Sequence, residues 1–321
     1  MPSEATVPPC TLNISKKDTA MSIRLGINPL TWTNDDLPSL GADTPLEVCL
    51  SEGRQAGFAG FELGNKFPRT PDALSQVLNA HDLALVSGWY SSRLLERSVE
   101  EELEALNDHL QLLKTCGATV MVYCEVSRCV HGDQDTPVSR RPVMNDADWE
   151  RLTTGLDAVA KEMASQGVEM AYHHHMGTVI ESEADVDRLM ASTQHVKLLL
   201  DAGHLTYAGG DPVAVARKHG KRITHVHCKD IRMALMDNAI NRDKSFLDAV
   251  LDGVFTVPGD GGVDFAALFT ELKRQGYGQH DDRWLVVEAE QDPAVADPLT
   301  YATLGHDNLA HLAREAELIN A

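Results

Sequence analysis

Positive charge is scarce in this chain of 321 residues: 28 lysines and arginines stand against 48 aspartates and glutamates, which gives a formal net charge of −20. A surface with this excess of negative charge repels the phosphate backbone of nucleic acids and the headgroups of anionic lipids. The composition therefore argues against nucleic acid and membrane partners.

The chain also lacks long hydrophobic runs. No apolar stretch approaches the roughly 18 residues of a membrane-spanning helix. The first ten residues, MPSEATVPPC, contain neither the basic segment nor the apolar segment of a secretion signal. These two absences predict a cytoplasmic protein.

Cysteine is sparse and scattered. No two cysteines form a CxxC pair, and none stands with histidine at the spacing of a zinc finger. A chain of this length buries a large core and does not need disulfides for stability. We therefore expect reduced thiols at all six positions, which are Cys10, Cys49, Cys116, Cys124, Cys129 and Cys228.

What the sequence does contain is a repeated alternation of strands and helices. Eight apolar runs are short, rich in aliphatic and β-branched residues and nearly continuous, as strands buried on both faces of a parallel sheet are. They span residues 23–27, 57–63, 83–87, 118–123, 168–172, 196–200, 223–226 and 284–287.

The segments between these runs carry helix start and stop signals. The motif TPLE at residues 44–47 combines an N-cap, a proline at the first helical position and a capping glutamate. Ser98 and Ser182 each stand three residues before an acidic residue, as in a capping box. Glycines such as Gly57 follow helical stretches and indicate where they end.

Eight strands alternating with helices predict a single (β/α)₈ TIM barrel over residues 21–321. An open doubly wound sheet is the alternative, but no GxGxxG or P-loop motif follows the first strand and no compositional break divides the chain. Residues 1–20 are polar, hold three prolines and show no periodicity, so we interpret them as an N-terminal extension. Residues 231–258 form an unusually long connection, which we expect to be an active-site wall or lid, or else a surface insertion or subunit contact.

The active site of such a barrel lies at the carboxyl ends of its strands. The polar residues at these ends are Glu62 on the second strand, Glu125 on the fourth, His173, His174, His175 and Glu181 on or after the fifth, Asp201 and His204 on or after the sixth, His225, His227, Lys229 and Asp230 on or after the seventh, and Glu288 and Glu290 on or after the eighth.

Successive side chains of a strand point to opposite faces, so residues two positions apart share a face. His225, His227 and Lys229 point one way, and burying them against the helices would leave them without partners, so this face should look into the barrel. Glu288 and Glu290 share a face for the same reason.

Carboxylates that converge at one barrel mouth repel one another, and a divalent metal ion removes that penalty. One imidazole with two or three carboxylates suits manganese, cobalt, iron or magnesium better than structural zinc. Any one of these residues alone is more often a hydrogen-bonded core residue than a ligand. The combination of Asp201, His227 and a glutamate of the eighth strand nevertheless predicts a metal site.

The same residues carry a resemblance to known proteins. DAGH at 201–204, HVHCKD at 225–230 and the glutamate of the eighth strand resemble the xylose-isomerase-like barrel superfamily of sugar isomerases, epimerases and dehydratases. The motifs that resemble the inosose dehydratases of inositol catabolism are GINPLTW at 26–32, FELGNKFP at 61–68, YHHHMGT at 172–178 and WLVVEAEQDP at 284–293. The resemblance runs from about residue 22 to the carboxyl terminus.

This resemblance implies a divalent metal, manganese or cobalt ahead of zinc, iron or magnesium, and the use of glutathione. The superfamily takes metal ligands from the fifth to eighth strands in the order Glu, Asp, His, Glu. In this sequence the order corresponds to Glu181, Asp201, His227 and Glu288. His173 or His175 is the alternative to Glu181, and Glu290 is the alternative to Glu288.

The resemblance also implies a lyase that dehydrates the cyclic polyol ketone 2-keto-myo-inositol (scyllo-inosose) to a trihydroxycyclohexane-dione. Such a reaction needs a base and an acid, for which the candidates are Glu62, His175, His204, Lys229 and Asp230. An isomerase or epimerase of the same superfamily is the alternative, because proton transfer without loss of water uses the same metal. A non-catalytic sugar-binding module is a further alternative, and a homo-oligomer is possible.

Overall fold

The structure is a computed structural model that describes residues 23–279 and 281–319. The extension predicted at residues 1–20, and Cys10 with it, lies outside the described residues. The five cysteines within the described ranges are free thiols, as expected. No helix among the described residues is long and apolar enough to cross a membrane.

Eight parallel strands close into a barrel, which confirms the predicted (β/α)₈ fold. The barrel strands are β1 (Ile23–Ile27), β2 (Gly60–Leu63), β3 (Ala84–Ser92), β4 (Val120–Glu125), β5 (Glu169–His173), β6 (Lys197–Asp201), β7 (Ile223–Cys228) and β10 (Arg283–Val287). Between β7 and β10 in the chain, β8 (Asp230–Ile231) and β9 (Phe255–Thr256) form a separate two-stranded sheet. The spatial order of the barrel strands is β1-β10-β7-β6-β5-β4-β3-β2, and the pairing of β1 with both β10 and β2 closes the barrel. Each predicted apolar run contains one of these eight strands or overlaps it.

Helices lie between the strands and cover the barrel. They are α1 (Leu46–Ala56), α2 (Pro71–Ala80), α3 (Val99–Thr115), α4 (Asp146–Ser165), α5 (Glu183–Ser192), α6 (Ala202–Tyr207), α7 (Pro212–His219), α8 (Met233–Asn241), α9 (Phe246–Leu251), α10 (Phe265–Gln275) and α11 (Pro298–Glu315).

Local signals set most of the helix ends. The predicted capping boxes at Ser98 and Ser182 are both present. At the TPLE motif the helix begins one residue later than predicted, so Pro45 is the N-cap and no side chain caps the helix. Gly57 ends α1 with a φ of 109°, which delays the start of β2 to Gly60 because a left-handed residue cannot continue into a strand.

Residues 231–258 are more regular than a loop. They form α8 and α9, and the β8–β9 ladder joins the two ends of the segment. Its side chains build a small separate core in which Phe246 and Phe255 pack with Met176 from the β5–α5 connection and Tyr207 from α6. The segment therefore stands over the carboxyl ends of β5 and β6.

Asp230 fixes the return of this segment to the barrel. Its Oδ1 accepts hydrogen bonds from the backbone N–H groups of Ile231 and Val263 at 2.8 and 2.9 Å, and its Oδ2 accepts from Gly259 and Gly261 at 3.2 and 3.1 Å. A Cβ on Gly261 would lie 2.3 Å from Oδ1, so a glycine is required for this approach. Asp230, a sequence candidate for acid or base, is thus occupied in holding a loop.

Candidate active site and metal centre

Four buried side chains at the carboxyl ends of β5, β6, β7 and β10 bring one ligand atom each to within 4.8 Å of one another. We call His173, Asp201, His227 and Glu288 the metal group. The Oδ2 atom of Asp201 lies 3.6 Å from His173 Nε2 and 3.5 Å from His227 Nδ1, and Glu288 Oε2 lies 2.8 Å from His227 Nδ1. None of these four atoms has a hydrogen-bond partner among the described residues.

Hydrogen bonds select the ring nitrogen that each imidazole offers. Nδ1 of His173 lies 2.7 Å from the carbonyl oxygen of His174, which can only accept, so Nδ1 carries the proton and Nε2 keeps a lone pair. Nε2 of His227 lies 3.1 Å from the Glu62 carboxylate, so that Nδ1 is the nitrogen that faces Glu288 and Asp201. This arrangement, one nitrogen tied to the protein and the other unpartnered, is the usual state of a metal-ligating histidine.

The electrostatics of the metal group also favour a cation. Burial by itself would lower the pKa of His227, but Glu288 and Glu62 outweigh it and raise the pKa well above the ordinary value. A positive charge on Nδ1 is therefore stabilised, and a divalent ion can supply it in place of a proton. Two imidazoles and two carboxylates fit such an ion, although the set holds one more imidazole than the sequence predicted.

Glu62 supports the metal group through His227 and also lines the cavity described below. Its carboxylate accepts hydrogen bonds from Asn28 Nδ2 at 2.7 Å, Ser87 Oγ at 2.6 Å, His225 Nε2 at 2.8 Å and His227 Nε2. Burial alone would raise its pKa, yet His227 and His225 outweigh burial and hold the pKa well below the ordinary value. With four donors the carboxylate is saturated, so Glu62, a candidate acid or base, is placed to orient His227 rather than to take a proton.

Lys229 is fully buried between the metal group and Glu290. Its Nζ lies 2.8 Å from His204 Nε2, 3.1 Å from Glu290 Oε2 and 3.3 Å from Glu288 Oε2. Burial would lower the pKa of Lys229, but Glu288, Glu290 and Asp201 outweigh it and raise the pKa above the ordinary value. The side chain is therefore an internal cation.

A cavity of about 220 Å³ opens onto the metal group. His175 and Glu290 line it beside His227 and Glu288. Nδ1 of His175 lies 2.8 Å from the carbonyl oxygen of Met176, so Nε2 keeps a lone pair. Burial holds the pKa of His175 well below the ordinary value and raises the pKa of Glu290 to about 8.

Aromatic side chains of residues 231–258 back the histidines. The ring centroid of Phe246 lies 5.0 Å from that of His175 and 5.7 Å from that of His204, and Phe255 lies 5.7 Å from His204. The segment thus packs against two histidines of the site, while the cavity lining comes from other elements. His204, a candidate acid or base, is enclosed between these rings and Lys229.

Glu181, the first-choice ligand from the fifth strand, lies outside the metal group. Its Oε2 accepts a hydrogen bond from the backbone N–H of Gly177 at 2.6 Å, and its Oε1 lies 3.4 Å from Arg141 Nε. The turn at Gly177 carries the chain away from the barrel mouth before Glu181 is reached. Burial raises the pKa of Glu181 to about 7. The structure brings His173, the stated alternative, into the group instead.

The residues at the outer rim of the cavity were not among the site residues predicted from the sequence. Exposed and half-buried polar side chains from the loops after β1 and β2 form it, namely Asp35, Asp36, Asn65 and Arg69. Phe246 and Phe255 were also missed as individual residues. A signal for the rim was available, because both loops follow the carboxyl ends of barrel strands.

Comparison with known proteins gives this geometry a context. Residues 50–313 match the model of the xylose isomerase-like TIM barrel family. The chain is 52% identical to the rhizopine catabolism protein MocC of Rhizobium meliloti, over 94% of this chain and 91% of that protein. It is 43% identical to an inosose dehydratase of Geobacillus thermodenitrificans, over 87% of this chain and 94% of that enzyme.

A solved structure shares the fold. The IOLI protein, described with a binding zinc atom, superposes with a TM-score of 0.61 at 17% identity, over 91% of this chain and 99% of that one. An identity this low supports the shared barrel and not a shared ligand set.

Proposed function

Because this chain belongs to the xylose isomerase-like TIM barrel family, we propose that it is a metal-dependent hydro-lyase of inositol catabolism. Its substrate is 2-keto-myo-inositol (scyllo-inosose), and its product is a trihydroxycyclohexane-dione. The substrate class comes from the relatives named inosose dehydratase, at 42–43% identity. The name of the Rhizobium meliloti relative states a catabolic route and no reaction.

One observation carries the proposal to the site. Four buried ligand atoms without hydrogen-bond partners converge beside a cavity at the barrel mouth. Holding two carboxylates and two imidazoles together in the interior, with ligand atoms that make no hydrogen bond, is costly unless a cation fills the space between them. We assign His173, Asp201, His227 and Glu288 as the ligands, with His173 in the position for which the sequence favoured Glu181.

When bound, a divalent ion at this position polarises a ketone or hydroxyl oxygen of the ligand in the cavity. Manganese or cobalt is the predicted ion, with zinc, iron and magnesium as alternatives. The use of glutathione, the cytoplasmic location and a homo-oligomeric state stay predictions.

The proton transfers are carried out by side chains that line the cavity and do not belong to the metal group. His175 presents a lone pair on Nε2 and accepts the proton next to the ketone. Glu290 lines the same cavity and donates a proton to the departing hydroxyl group. Glu62, His204, Lys229 and Asp230 then position other groups: Glu62 orients His227, and Asp230 holds the loop at Gly259.

The size of the cavity agrees with a single-ring substrate. A volume of about 220 Å³ lies below the roughly 300–1,000 Å³ of pockets for drug-sized ligands. Polar rim residues such as Asp35 and Asn65 can accept and donate hydrogen bonds to ring hydroxyls.

Turnover of scyllo-inosose by protein loaded with Mn²⁺ or Co²⁺ tests the proposal. We expect a product lighter by one water in the mass spectrum, with no product after chelation of the metal. His175→Gln should keep the metal and lose most of the turnover, because the amide cannot take up the proton. A product of unchanged mass would favour an epimerase or isomerase, and binding without turnover would favour a sugar-binding module.

A further inference from the structure

A buried ammonium group lies where a second metal ion would fit. His175, His204 and Glu290 form another group whose ligand atoms lie within 4.8 Å of one another. Lys229 Nζ stands at this group, with a hydrogen bond to His204 Nε2 at 2.8 Å and an ion pair to Glu290 at 3.1 Å. The ammonium can only donate, so His204 Nε2 accepts and the ring proton of His204 is on Nδ1.

The fold is shaped around this side chain. A Cβ on Gly203 would lie 2.6 Å from Cγ of Lys229, so the aliphatic stem packs directly on the backbone of α6. On another side the ammonium stands 5.1 Å from the ring centroid of Phe255, a distance at which the aromatic face attracts a cation. Both contacts are independent of the carboxylates: the first fixes the position of the stem, and the second favours a positive charge at its end.

The charge balance of the interior requires this cation. Glu62, Asp201 and Glu288 are buried carboxylates of one network, and Glu290, the proposed proton donor, joins this network through Lys229. One divalent ion in the metal group would leave the carboxylates in excess, and Lys229 reduces that excess from a distance of 3.3 Å to Glu288 and 3.1 Å to Glu290. Without Lys229, the group around Glu290 would attract a further cation.

We propose that the Lys229 ammonium replaces a second divalent cation, so that the chain holds one metal ion. The inference rests on the metal centre proposed above. Both glutamates after β10 face Lys229, Glu290 at 3.1 Å and Glu288 at 3.3 Å, but only Glu288 also belongs to the metal group. Lys229 is a positioning residue in this arrangement, because it is fully buried and does not line the cavity.

Metal stoichiometry in Lys229→Ala tests the inference without any activity assay. We expect one Co²⁺ per chain in the unaltered protein and two in Lys229→Ala, measured by equilibrium dialysis with elemental analysis. Propylammonium should compete with the second ion, since it restores the missing stem and charge. Adding Glu290→Gln to Lys229→Ala should return the count to one. Lys161→Ala, which removes an exposed lysine of α4, should leave the count at one.

A second variant keeps the test decisive if Lys229→Ala does not fold. Lys229→Met fills the space of the lysine but removes its charge. Because a positive charge next to the ligand Glu288 is gone, the affinity for the single ion should rise by at least about tenfold. Unchanged affinity in Lys229→Met, or one ion in folded Lys229→Ala, would overturn the inference. Two ions in the unaltered protein would overturn it and leave the metal centre standing, whereas no bound ion would refute the metal centre itself.

Discussion

Each metal-group histidine has one ring nitrogen tied to the protein and one left open. His173 is held through Nδ1 by a backbone carbonyl, and His227 is held through Nε2 by the Glu62 carboxylate. Since opposite nitrogens are tied in the two rings, the atoms that face the carboxylates of the metal group are Nε2 in His173 and Nδ1 in His227. The tautomer of each ring is therefore determined by its neighbour rather than by its position in the chain.

Metal affinity separates His173 from Glu181 as the ligand from β5. His173→Ala removes a ligand atom, so its loss of Co²⁺ affinity should exceed the about 10–100-fold typical of losing a supporting residue. Glu181→Gln should bind Co²⁺ as the unaltered protein does, because Glu181 contacts Gly177 and Arg141 and not the metal group. Titration calorimetry measures both. The opposite pattern would return Glu181 to the site.

At the scale of elements, the segment from β8 to β9 closes the barrel mouth on one side. It has an apolar core of its own, and two of its aromatic rings, Phe246 and Phe255, contact the histidines of the site. Asp230 anchors its return through four backbone N–H groups. The segment is thus attached at both ends, and its rings lie against His175 and His204.

Phe246→Ala tests whether the segment of residues 231–258 serves the reaction. The variant should lose about 3–5 kcal/mol of stability and most of its turnover, because His175 loses the ring that holds it, while one metal ion still binds. Leu251→Ala, in the same helix at a position that is 39% exposed, is the matched control and should keep both. Normal turnover in folded Phe246→Ala would instead favour a surface insertion or a subunit contact.

At the scale of the whole molecule, the barrel is closed without the first 22 residues. Pairing of β1 with β10 joins the two ends of the sheet, and the metal group, the cavity and the Lys229 network all lie between residues 28 and 290. The chain therefore has its complete set of proposed site residues in the part that forms the barrel.

Deletion of residues 1–20 should consequently leave both melting temperature and scyllo-inosose turnover nearly unchanged. Calorimetry and the turnover assay, on the full and the shortened chain side by side, check this. A clear fall in melting temperature would mean that the extension packs on the barrel or on another subunit. Light scattering on both forms would distinguish these two cases.

Patterns within a few residues of each other predicted the architecture. Strands buried on both faces need continuous apolar runs, so eight runs gave eight barrel strands, and period two placed His225 and His227 on the inner face of β7. The N-caps at Ser98 and Ser182 are equally local, because each bonds a backbone N–H three residues ahead. At the TPLE motif no side chain makes a capping hydrogen bond, and there the start of α1 was predicted one residue too early.

The roles within the site depend on distances between strands that are far apart in the chain. Glu62 and His227 are separated by 165 residues, and their contact turns a candidate acid or base into a support for a ligand. The same holds for Lys229, whose partners His204 and Glu290 come from α6 and from the connection after β10. By itself the sequence determined the barrel, the ends of strands where the chemistry collects and the family. Only the tertiary structure shows that His173 and Glu288, rather than Glu181 and Glu290, lie together with Asp201 and His227, because barrel closure and not spacing along one strand sets these distances.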